Sequence, residues 1–241
     1  SGVAHEINNP NNLVLSNAQL LSKVWKDSQI VLQQYFRENG EFVLGGIPFS
    51  ELDQHIPELF GGITDGSQRI NAIVGDLKRF VRQDDTQFSH DVDLNAVAAS
   101  AVSMLHYELV KYTDNFQSTL LSDLPMVKGS GRQLEQVVVN LLMNACQALP
   151  DKSCAVLLET SFDPQERTVK VRVHDQGSGL SGELKEKILE PFFTTKIDSG
   201  GTGLGLSISK SIIKDHGGQL DFFSQPETGT TFTVTLPVSD S

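Results

Sequence analysis

The 241 residues carry 19 Lys and Arg against 30 Asp and Glu, a net charge of −11 that repels phosphate backbones and anionic lipid and removes nucleic acid and membrane surfaces from the default partners. At 39% hydrophobic, the chain suits one large or two modest globular domains rather than a disordered one. The apolar runs fall well short of the roughly 18 residues of a membrane span, and two cysteines, Cys146 and Cys154, make no disulfide framework. A reducing, cytoplasmic setting is therefore expected.

Up to about Phe88 the pattern is helical. Val14, Leu21 and Val24–Trp25 recur at three- to four-residue spacing, as do Ile63, Ile70, Ile73–Val74, Leu77 and Phe80–Val81, which predicts a pair of amphipathic helices. Asn39-Gly40, Gly45-Gly46-Ile47-Pro48 and Gly61-Gly62 are turn signals, and Ser50-Glu51-Leu52-Asp53 can cap a short helix that Pro57 interrupts or kinks. A long connection over about 33–62 is expected from these. The polar run Gln83–Gln87 marks either a boundary near residue 88 or a frayed helix end. Beyond it, period-two segments at Phe116–Leu121, Ala155–Phe162, Thr168–Val173, Gln219–Phe223 and Thr230–Leu236 predict strands, with helices at Glu183–Leu189 and Leu206–His216. The expected class is α+β, with a helical domain over residues 1–88 and a mixed domain over residues 89–241.

Five segments bear chemistry. In Ala4-His5-Glu6-Ile7-Asn8-Asn9-Pro10, His5 and Asn9 share a helix face and Glu6 adjoins the imidazole. Pro10 leaves the Glu6 carbonyl without its helical donor, and an imidazole largely neutral at pH 7 is able to attack phosphorus. A zinc-protease His-Glu-x-x-His is excluded because Asn9 stands at the second ligand position. On the strongly apolar Gln136–Ala145 segment, Asn140 and Asn144 lie one turn apart and can offer carboxamide oxygens to magnesium, or form a plain surface pair. Strand Thr168–Val173 runs into Asp175-Gln176-Gly177-Ser178-Gly179, where a carboxylate can accept from an exocyclic amine and glycines let a flat base approach the backbone. Gly177-x-Gly179-x-x-Gly182 also matches a dinucleotide fingerprint, but no strand follows the next helix before Pro191-Phe192-Phe193-Thr194-Thr195-Lys196. Gly200–Ser207 is a glycine-rich entry to a helix, suited to phosphate, with Lys196 upstream as a cation. Gly229-Thr230-Thr231-Phe232 then opens the last strand.

The order of these segments resembles the H, N, G1, F, G2 and G3 boxes of the two-component sensor histidine kinases over nearly the whole chain, in the subgroup carrying His-Glu-Ile-Asn-Asn-Pro and Phe-Phe-Thr-Thr-Lys. The resemblance implies a two-helix dimerisation hairpin, a four-helix bundle in the homodimer, followed by an α/β sandwich of the gyrase and heat-shock chaperone type that takes ATP and Mg2+. It assigns His5 as phosphoacceptor, Glu6 as its acid–base partner, and Asn9 as the residue orienting water when phosphoaspartate is hydrolysed. Asn144, helped by Asn140, would hold magnesium, and Asp175, Gly177, Gly179 and Thr230 would form the base site. Phe192 or Phe193 would anchor a lid. Lys196 and the amides of Gly201, Thr202, Gly203, Leu204 and Gly205 would meet the phosphates.

Where related ATPases place a water-activating Glu, this chain has Asn140. Gln147 replaces a cation found in many members. The implied partner is a response-regulator receiver domain, and a sensor region and the first turns of the first helix are expected upstream of a chain that opens four residues before His5. Competing readings are an ATPase or serine/threonine kinase on the same nucleotide fold, and a non-catalytic nucleotide-binding dimerisation module. The ranking is set by chemistry: a Rossmann site predicts NAD binding insensitive to Asn144.

Overall fold

The computed structural model describes residues 2–81, 90–195 and 201–239, with side chains over 6–75, 90–195 and 201–239. The chain divides into two compact units, Ser1–Arg82 with Thr195–Thr202, and Gln83–Thr194 with Gly203–Ser241. The boundary expected at 88 lies outside the described residues.

The helical unit is α1 (Gly2–Asn39) packed on α2 (Phe49–Val81). Between them β1 (Val43–Leu44) and β2 (Ile47–Pro48) pair as a small antiparallel hairpin. Its two-residue turn has positive φ at Gly45 (60°) and Gly46 (86°), the geometry that matches the twist of flanking strands and that glycine adopts without steric cost. The expected long connection over 33–62 is corrected here, because only Gly40–Pro48 separates the helices and Pro57, Gly61 and Gly62 all lie inside α2. Proline costs about 3 kcal/mol and glycine about 1 kcal/mol in a helix interior. Tertiary contacts override these local penalties. Phe42 stacks on Phe49 at 4.8 Å and Phe36 meets Phe49 at 5.6 Å, while Gln29 and Gln33 on α1 donate to Asp53 on α2 at 2.7 and 2.9 Å. The Glu41 carboxylate accepts from the backbone amides of Phe42 and Ser50 and from the Ser50 hydroxyl, supplying an acidic cap to α2 and lowering its own pKa chiefly through that hydroxyl. Nearer Pro10, buried Asn11 donates to the Ser67 carbonyl at 2.7 Å and to the Asn71 carboxamide at 2.8 Å.

The second unit begins with β3 (Asp91–Val92), α3 (Leu94–Met104), α4 (His106–Tyr112) and β4 (Asn115–Thr119). It continues through β5 (Val127–Lys128), α5 (Gly131–Ala148), β6 (Ala155–Asp163), β7 (Thr168–Asp175) and α6 (Gly182–Lys187), and ends with α7 (Gly205–Asp215), β8 (Gln219–Gln225) and β9 (Gly229–Pro237). Five strands form one sheet in the order β4-β6-β7-β9-β8, with β4 parallel to β6 and the other pairs antiparallel; β3 pairs separately with β5. Strand alternation sorts the residues by face. Val156 and Leu158, Val169, Val171 and Val173, and Phe232, Val234 and Leu236 point into the core with Leu134, Val137, Leu141 and Leu142 of α5. The other face carries polar pairs such as Arg172 with Glu159 at 3.6 Å. Because β7 is antiparallel to both neighbours, the dinucleotide fingerprint at Gly177–Gly182 has no parallel βαβ unit to serve. No helix among the described residues is long and apolar enough to cross a membrane.

Candidate functional site

α5 is held to the sheet by Leu134, Val137, Val138, Leu141 and Leu142, all buried, which leaves Asn140 and Asn144 half-buried at its margin, one turn apart. The Asn140 carboxamide nitrogen donates to the Ser209 hydroxyl on α7 at 3.0 Å. A Cβ built on Gly205, the first residue of α7, would lie 2.3 Å from the Asn140 oxygen, so any side chain there would displace the carboxamide. The start of α7 and the asparagine of α5 thus form one junction. The amides of the first turn of a helix have no acceptor within it and carry the positive end of the helix dipole, and Leu204 offers no side-chain cap.

A second cluster sits at the end of β7. Asp175 is 2% exposed, and its Oδ1 accepts from the Gly177 amide at 2.8 Å and the Thr230 amide at 3.2 Å. Thr230 lies opposite Asp175 in the β7–β9 register, and its hydroxyl is 2.9 Å from that of Ser224 on β8. Gly179 has φ +65°, and a Cβ there would fall 1.9 Å from the Gln225 carbonyl, so this turn of the loop requires glycine on both counts. Phe192 is 63% exposed, Phe193 is half-buried, and Gly203 packs on their backbone, where a Cβ would come 2.5 Å from the Phe192 carbonyl carbon.

The structure therefore joins Asn140 to Gly205, Asp175 to Gly177 and Thr230, and Phe192–Phe193 to Gly203. Gly201 and Thr202 are half-buried; Lys196 lies outside the described residues. His5 lies in α1 with its side chain outside those described, and Glu6 and Asn9 on the same helix are exposed.

The family described as histidine kinase-, DNA gyrase B- and HSP90-like ATPase matches residues 129–240, the span that holds both clusters. The catalytic domain of histidine kinase ThkA is 30% identical with a TM-score of 0.55, over 63% of this chain and 98% of that one. The chain belongs to the sensor histidine kinases. A putative sensor protein of Shewanella frigidimarina (strain NCIMB 400) is 32% identical over 95% of the chain and 34% of its own length, and the signal transduction histidine-protein kinase AtoS of Escherichia coli (strain K12) is 29% identical over 99% and 34%. The chain thus spans about a third of the length of these curated relatives. Full-length ShkA in complex with AMPPNP shares the fold at 20% identity, with a TM-score of 0.67 over 100% of this chain and 45% of that one. Within this sensor histidine kinase, residues 129–240 are an ATP-binding fold of the shared ATPase type.

Two buried polar residues at the site, Ser209 and Ser224, and a third elsewhere in the same unit, His216 against the start of α5, escape a reading by motif. Ser209 and Ser224 are each 2% exposed, and His216 is buried with its Nε2 accepting from the Ser130 amide at 3.0 Å. The available signal was the pattern break each makes: alternation places residue 224 on the apolar face of β8 with Leu220, and helical spacing places residue 209 on the buried face of α7 with Ile212 and Ile213.

Proposed function

We propose that this chain transfers the γ-phosphoryl group of ATP to His5, and that a receiver-domain aspartate of a response regulator then takes it. Residues 1–88 would serve as the dimerisation and phosphotransfer domain and 89–241 as the catalytic domain. The observation that carries the reading is Asn140 set against Gly205. An amide at this position cannot take a proton from water, so the site lacks the base of a hydrolase there and is suited to a nucleophile that needs none. A neutral imidazole is such a nucleophile.

In this reading Asp175, Gly177, Gly179 and Thr230 bind the base. Lys196 and the amides of Gly201–Gly205 bind phosphate, and Phe192 or Phe193 anchors the segment that covers it. Asn140 and Asn144 fit a hard cation. Asn140 commits its nitrogen to Ser209 and keeps its oxygen as the acceptor, and magnesium favours oxygen ligands completed by substrate phosphates. Bound there, the ion would offset charge on the phosphates.

One ring nitrogen of His5 forms the new P–N bond as the bond to ADP breaks in line, ADP leaving with the electron pair. Glu6 accepts the proton from the other ring nitrogen. The phosphohistidine then yields its phosphoryl to a carboxylate, and Asn9 orients water for the reverse clearance of phosphoaspartate. A second copy covers the exposed apolar faces of α1 and α2, making the four-helix bundle, and the parent protein carries a sensor upstream in a cytoplasmic or membrane-anchored setting.

Incubation with γ-labelled ATP tests the proposal. Label stable to base and lost in acid is expected, absent in His5→Gln and reduced to background in Asn144→Ala. Acid-stable label surviving His5→Gln would instead make this a serine/threonine kinase on the same nucleotide fold.

A further inference from the structure

We infer that Ser224 determines base specificity as a positioning residue, by fixing the hydroxyl proton of Thr230 so that Thr230 and Asp175 both meet the purine as acceptors. The inference rests on the reading of Asp175 and Thr230 as the base site. Ser224 lies on β8 opposite Thr230 in the β8–β9 register and is 2% exposed, so its hydroxyl must be satisfied inside the protein.

Three partners surround that hydroxyl. The Leu180 amide, in the loop just after Gly179, donates to Ser224 Oγ at 2.9 Å; an N–H has no other role to play. Ser224 donates to the Gly229 carbonyl at 3.1 Å, and a carbonyl can only accept. The third contact is to Thr230 Oγ1 at 2.9 Å, where either oxygen could supply the proton. A serine has one proton. With it directed to Gly229, the proton shared between the two hydroxyls belongs to Thr230, and this is the arrangement that satisfies all three contacts together.

Thr230 is then left with lone pairs to offer a ligand and no proton to give. Its amide is already committed to Asp175 Oδ1, which also takes the Gly177 amide. A carboxylate and a proton-spent hydroxyl side by side favour a 6-amino purine, which donates at that position. They oppose a 6-oxo purine, whose oxygen would face other oxygens with no hydrogen between them.

The test compares ATP with inosine triphosphate, the 6-oxo analogue, in competition against a fluorescent adenine nucleotide on the full 241-residue chain. The wild type is expected to prefer ATP. Ser224→Ala frees the Thr230 hydroxyl to turn and donate, and the ATP preference should fall about tenfold, chiefly through tighter inosine triphosphate binding. Thr230→Val removes the hydroxyl and should itself lower the preference, and Ser224→Ala added to it should change the ratio no further.

Equal weakening of both nucleotides in Ser224→Ala would make Ser224 a structural residue and overturn the inference, as would an unchanged ratio in Thr230→Val, a variant that decides the matter even where Ser224→Ala does not fold. Failure of the base-site reading has a different signature: ATP binding that Asp175→Asn leaves intact.

Discussion

Among the described side chains of α1 and α2, those fully buried are Asn11, Ala18, Phe49, Ser67 and Val74, whereas β6, β7 and β9 with α5 enclose a continuous core of Val156, Leu158, Val169, Val171, Val173, Val234, Leu236, Val137, Leu141 and Leu142. The helices meanwhile leave Leu13, Leu20, Leu21, Val24, Ile30, Val31, Leu59 and Ile63 in water, with Ile30 69% and Val31 68% exposed. Burying such a side chain is worth about 1.5–3 kcal/mol. The contrast teaches that the α/β unit closes its own core, while the helical unit holds a stripe of unspent burial that a second surface must cover before the pair of helices is firmly stable.

The largest effect expected is in the self-contained unit. Leu141→Ala opens a void in a side chain with no exposed surface and should cost about 2–5 kcal/mol, read as a lower denaturation midpoint that does not change with protein concentration. Ile30→Glu sharpens the other side of the comparison. On an uncovered helix a surface change of this kind stays within about 0.5 kcal/mol. If a second copy covers the stripe, the helical unfolding transition should drop by about 2 kcal/mol or more and become steeper in its dependence on protein concentration, which calorimetry over a hundredfold range would report.

The smallest effect concerns pH. Burial pushes the His216 imidazole below its ordinary value of 6.5, the largest influence on it, against the opposing pull of the Ile212 carbonyl and Asp215. Its Nδ1 is 2.7 Å from that carbonyl and its Nε2 accepts from Ser130, so the neutral ring is the folded form. With the folded pKa depressed, the unfolded chain binds the proton first as pH falls. The stabilisation is fully present above about 6.5 and is lost progressively below it. Melting of the α/β unit should follow that course in the wild type and lose this component in His216→Gln, while the helical unit is unaffected.

Much of this architecture could be seen in the residues themselves. The alternation at 155–162, 168–173, 219–223 and 230–236 located four of the five main strands within two residues of their ends, because each buries one face on α5 and α7 and exposes the other. The alternation at Phe116–Leu121 announced β4 but not that it runs parallel to β6, since a period of two carries no direction. β3 and β5, two residues each, are too short to show any period. Pro57 and Gly61-Gly62 were misleading because local propensity cannot register the Asp53 contacts, which come from Gln33 and Gln29, 20 and 24 residues away, nor the packing of Phe36 and Phe42 on Phe49. The motif residues of the site were visible as a series. Ser209, Ser224 and His216 were not, because their meaning lies in bonds to Asn140, Thr230 and Ser130, and two of those partners are 69 and 86 residues distant in sequence.

The five-stranded sheet ends in β4 on one side and β8 on the other, and each outermost strand has a row of amides and carbonyls facing away from the sheet. On β4 that border is five residues long and carries Asn115, Gln117, Ser118 and Thr119 in water, and β8 places Asp221 in the middle of its own. A border as short and hydrophilic as that of β4 is a poor template for adding a strand from another molecule, and on β8 the charge of Asp221 opposes one beside the exposed Phe223. Self-association by sheet extension is thereby discouraged, and copies of the chain are free to meet through their helices without competition from their strands.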